Sequence, residues 1–252
     1  MDALTVVSAI VSLAGAATAA TLGYWTQRRL RLMDQRNLME TYGASLAWAA
    51  YDLQSRLYNI VHGHEVDRSP GPSRGLMTAF HLHGTPEERD YVRRSTAFVI
   101  GEYLGWVEIL RRDVQFLDLG RSRANQRVME EISSIGTALN RTSADSNVLR
   151  LWRVEQRAIG ELMVHADGEP GRRRCLGYAE FCEKLEGDEV VGRWFAPLIA
   201  DVDRLAEDTG PAVPRLVELQ QRLLALIEVL DPKAERFPHF REPARASARS
   251  AD

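Results

Sequence analysis

Four of the six histidines fall close together: His62, His64, His81 and His83, with Glu65 and Asp67 between the two pairs. Imidazole and carboxylate suit zinc and related ions, so two His-x-His pairs can make a divalent metal site. The spacing fits no established ligand pattern such as HExxH, and proline and glycine separate the pairs. A solvated polar loop is the plainer reading. A divalent metal is therefore the one cofactor the residue types allow, and no cofactor is predicted from a motif.

A second candidate is a carboxylate on an apolar arc. Val148, Leu151, Trp152, Ile159 and Leu162 share one side of a helical pattern, and Glu155 falls inside that side. A buried glutamate needs partners, most simply an arginine from another helix. Asp52 and Arg56, one turn apart at the edge of another apolar stripe, are candidates for the same network. Such a cluster serves either as a general acid/base or ligand clamp, or as a structural ion pair. The absence of any second catalytic signal favours the structural role.

The elements that must position these residues are read as helices throughout. Residues 42–61 carry a stripe of Tyr42, Leu46, Ala49, Leu53, Leu57 and Ile60, with Gly43 as a bend before it. Residues 62–84 read as a long loop with a short helix near Leu76 to Phe80. Thr85, Pro86 and Glu88 form a capping box that starts a broad-faced core helix. On its far side Gly101 and Gly105 leave room for another helix to approach. Further helices are expected at 122–139, 144–165, 178–185, 188–207 (kinked or restarted at Pro197) and 214–230. Asp167 to Gly171 break the chain before Arg172, Arg173 and Arg174, read as an exposed turn. The two cysteines, Cys175 and Cys182, are too few for a disulfide scaffold.

Ahead of these helices, the stretch from Ala3 to Trp25 carries no charge. As a helix, about 23 residues span roughly 34 Å, enough for a hydrocarbon core of about 30 Å. Trp25 closes the run at the level of an aromatic belt, and Arg28, Arg29 and Arg31 follow it. A cleaved signal peptide is a poorer fit, because no Lys or Arg precedes the run. Gly15, Ala19 and Gly23 lie four apart on one stripe, which permits close helix packing in lipid.

The sequence therefore predicts an all-α protein: a single N-terminal transmembrane helix followed by a cytoplasmic multi-helix bundle. Residues 1–40 are anchor and juxtamembrane helix, 41–230 the bundle, and 231–252 a disordered tail. The positive-inside rule places the N-terminus outside the cell membrane and the bundle in the cytoplasm. A net charge of −3 over 252 residues gives no basic field for nucleic acid. The expected partners are the lipid bilayer and a protein, another copy included. The expected function is a membrane-tethered scaffold, sensor or regulator. The alternatives are a ligand-binding or metal-dependent enzyme sited in the bundle core or the 62–84 loop, and a membrane-active effector.

Overall fold

The computed structural model describes residues 3–62, 76–113, 123–143 and 146–238; the side chains of 3–14, 28–41, 78 and 124 lie outside the described ones. The described residues fold as helices: α1 (Ala3–His62), a π-helical turn (Met77–Leu82), α2 (Pro86–Asp113), α3 (Arg123–Asn140), α4 (Arg153–Met163), α5 (Tyr178–Gly187), α6 (Glu189–Glu207), a 3-10 turn (Gly210–Ala212) and α7 (Val213–Leu230). The chain divides into two compact units, Met1–Thr41 and Tyr42–Asp252.

In the first unit, residues 15–27 are exposed throughout, and Leu22, Tyr24 and Trp25 are each more than 60% exposed. Gly15 and Gly23 have open space where a side chain would stand. Ala19 is exposed as well. The side chains of Arg28, Arg29 and Arg31 lie outside the described residues. Among the described residues, no helix is long and apolar enough to cross a membrane.

The second unit is built around α2. Its capping box forms as the residue types dictate: the Thr85 amide donates to Glu88 Oε2 at 2.8 Å, and the Glu88 amide to Thr85 Oγ1 at 3.3 Å. Helices α4, α5 and α6 and the π-helical turn all pack on α2, and α3 packs on α7. The stripe Tyr42, Leu46, Ala49, Leu53, Leu57 and Ile60 is buried, so the second half of α1 belongs to this core. Gly43 does not interrupt α1, which continues as helix through it, and a Cβ there would meet Leu230 at an ordinary 3.7 Å.

Three stretches depart from the sequence expectation. The helix expected over 144–165 is only Arg153–Met163, with a pinned loop before it. Pro197 neither ends nor restarts α6. The ordered chain also continues past Leu230. There Asp231 accepts hydrogen bonds from the amides of Glu235, Arg236 and Phe237 at 2.9–3.1 Å, and Phe237 is buried against Trp48 and Tyr51. Residues 239–252 lie outside the described ones.

Candidate functional site

Glu155 stands at the edge of a cavity of about 370 Å³ between the loop before α4, α4 itself and α6. Its floor is apolar: Leu151, Ile159, Trp194, Pro197 and Leu198. Arg150, Arg193, Glu155 and Asp201 supply the polar lining. A cleft of this size with few polar groups is the usual form of a binding site.

The loop forming one wall is held from several sides. Leu149 adopts φ 55°, a left-handed conformation that a branched apolar residue rarely takes. The buried carboxylate of Asp201 accepts the Leu149 amide at 2.7 Å and the Arg204 guanidinium at 2.5 Å. Burial pushes the Asp201 carboxyl up, and these two donors only partly offset it. Arg215, also buried, donates to the carbonyls of Leu139, Arg141 and Ser146. Gln156 donates to the carbonyls of Gly136 and Leu151 at 2.9 and 2.8 Å. Strained backbone persists where its surroundings over-determine it, and such places cluster at functional sites.

This explains the position of Glu155. It is the N3 residue of α4, and its Oε2 accepts the Trp152 amide at 2.7 Å. It serves as a helix cap at the cavity rim, is only half-buried, and forms no ion pair with an arginine among the described residues. Trp152 beside it is 47% exposed, with the Arg150 guanidinium 4.3 Å from the ring centroid. On α6, Pro197 has no amide hydrogen, so the Arg193 carbonyl four residues back lacks its helical donor on the cavity side.

Asp52 and Arg56 feel each other's charge but form no ion pair, and Arg56 reaches α2. Arg56 Nη1 donates to Thr96 Oγ1 at 3.4 Å. Burial raises the Asp52 carboxyl, against the pull of Arg56. The residue the sequence gave no reason to single out is Glu102. Burial first, and then the Asp52 carboxylate, push its pKa up to about 7, while a hydrogen bond from Trp106 works the other way. A raised carboxyl pKa means the fold prefers the protonated form. Stability from this group is full below the ordinary carboxylate range and is lost as pH rises toward 7. Denaturation between about pH 5 and pH 8 should show wild type losing roughly 1–2 kcal/mol relative to Glu102→Gln, after allowance for solvent screening. Parallel pH profiles for the two proteins would contradict this.

Among the described residues, His62, His81 and His83 do not form a metal-holding group. His62 is exposed and its ring lies 4.6 Å from Tyr58; His83 is exposed; His64 lies outside the described residues. His81 is buried, and its Nε2 is 2.6 Å from Asp203 Oδ1. Among the described residues, no group of three or more His, Cys, Asp or Glu stands ready to hold a metal ion.

Sequence reasoning missed Asp201, Arg193 and Trp194. The signal for Asp201 was present: it interrupts the buried α6 stripe of Phe195, Leu198, Val202 and Leu205. Nothing in the sequence distinguishes Arg193 or Trp194 from surface residues. Comparison with family models, with curated proteins and with solved structures found no match to this chain.

Proposed function

We propose that this chain is a membrane-tethered helical domain that acts through a protein contact at the cytoplasmic face. The observation carrying the tether is the exposure of Leu22, Tyr24 and Trp25 on a segment that has no charge from Ala3 to Trp25. Exposed apolar side chains on an uncharged run are favoured by a lipid surrounding and costly in water. Its polar side chains suit lipid too: Thr21 and Thr26 donate back to the carbonyls of Ala17 and Leu22 at 2.8 Å, so neither hydroxyl needs water. The arginines that follow sit where the positive-inside rule wants them.

The contact surface is the cavity at Glu155. Its two carboxylates already accept backbone amides, whereas Arg193 and Arg150 leave positive charge on the rim. Trp152 and Val154 add exposed apolar surface beside it. This combination suits an apolar side chain carried on an acidic segment of a partner.

Cell fractionation tests both halves. The chain should sediment with membranes and resist alkaline extraction, and Ala19→Arg, which puts a charge in the middle of the run, should move it to the supernatant. Membrane complexes resolved on native gels should lose their partner in Trp194→Ala/Arg193→Glu with thermal unfolding unchanged. A soluble wild-type chain contradicts the tether; an unaltered complex in the double variant contradicts the docking role.

A further inference from the structure

A second pocket, of about 300 Å³, lies on the other side of α6's polar residues and is lined by His81, Leu82, Arg89, Arg93, Asp203 and Glu207. The geometry points to a binding site for a small zwitterion of the free α-amino acid class, its carboxylate on Arg89 and Arg93 and its ammonium on Glu207.

The groups are held in place before any ligand arrives. Arg93 Nε donates to Asp203 Oδ1 at 2.6 Å, and Arg89 Nε donates to the His81 carbonyl at 3.0 Å. Both guanidinium groups are thus anchored through Nε, which leaves the paired terminal nitrogens as donors of the fork shape that fits a carboxylate. His81 sits in the π-helical turn Met77–Leu82, a geometry that recurs at functional sites. Its Nε2 lies on the Asp203 carboxylate at 2.6 Å, so in the neutral ring Nε2 carries the hydrogen and Nδ1 is an acceptor. That Nδ1 is closed off from open space and has no partner among the described residues, in a side chain that is only 7% exposed. A ligand in the pocket therefore meets the outer guanidinium nitrogens and Glu207, while His81 acts by holding the Asp203 carboxylate in place.

Charge selects the class. A simple anion must approach the carboxylates of Asp203 and Glu207; a simple cation must approach two guanidinium groups. A molecule with one charge of each sign meets a complement for both. Leu82, 41% exposed at the same pocket, offers apolar surface to a small side chain. The size is at the lower end for small-molecule sites, which suits a small metabolite.

The test is calorimetry and thermal shift on the whole chain in detergent against the free amino acids, each beside its N-acetyl and its amide derivative. At least one free amino acid should bind, and losing either charge should weaken it by about tenfold or more. Glu207→Gln, an exposed position, should weaken the free amino acid equally while leaving unfolding unchanged. Arg89→Gln should do the same through the carboxylate. No binding by any of the amino acids overturns the assignment. So does an N-acetyl derivative that binds as well as its parent, or binding that is indifferent to Glu207→Gln.

Discussion

Asp113→Ala is expected to destabilise the helical domain by about 3–5 kcal/mol, much of the roughly 5–15 kcal/mol a domain usually has. The Asp113 side chain is 1% exposed at the C-terminal end of α2. One oxygen accepts the Tyr42 hydroxyl at 2.7 Å and the Gly171 amide at 2.8 Å; the other accepts Arg173 Nε at 2.7 Å. The Arg173 amide in turn donates to the Tyr42 hydroxyl at 3.2 Å. One carboxylate therefore joins α1, α2 and the loop before α5. Removing it strands a guanidinium, an amide and a hydroxyl at once, and a partly buried charge without its partner dominates the loss. Tyr42→Phe removes one donor and leaves two, so about 1 kcal/mol is expected. Urea denaturation separates these values; a loss below about 1 kcal/mol for Asp113→Ala contradicts the role given to the carboxylate.

Gly160→Ala should cost about 2–3 kcal/mol, against the helix-propensity gain of about 1 kcal/mol that Gly→Ala ordinarily brings. A Cβ at Gly160 would lie 2.6 Å from the Leu104 carbonyl oxygen and 3.1 Å from Glu108 Cβ. The obstacle is backbone, which cannot rotate away, so α4 and α2 must separate. Gly105 faces the same crossing, where a Cβ would come within 2.7 Å of Cys175 Sγ and 2.8 Å of Met163 Cβ. The two substitutions share one interface and should not add. Gly192→Ala in α6 is the control: its nearest neighbour would be an ordinary 3.4 Å away, and stability should be unchanged or rise. Thermal melts that rank Gly160→Ala with Gly192→Ala would contradict the close crossing.

The close approach at Gly105 was legible in the sequence, because two small residues interrupt an otherwise broad apolar helix. The buried stripe from Tyr42 to Ile60 and the capping box at Thr85 were legible for similar reasons: each rests on contacts within a few residues. The 146–152 loop was not. Its apolar spacing continues that of α4, and the group that holds its backbone is a carboxylate on α6, 52 residues along the chain from Leu149. Arg173 read as part of an exposed turn because its partner lies 60 residues away. The candidate site divides the same way. Asp52 and Arg56 share one helix and feel each other's charge without an ion pair, while Glu155 was given a buried ionic role and instead caps the helix it begins. Phe237 lies in a Pro- and Arg-rich stretch without apolar period, and a single aromatic anchor leaves no periodic trace.

Flotation of the purified 252-residue chain with lipid vesicles, at low and at high salt, probes the tether with no other cell component present. The chain should rise with the vesicles at both salt concentrations, since an inserted apolar helix is indifferent to screening. Recovery at the bottom of the gradient, or release from the vesicles when salt is raised, would contradict insertion.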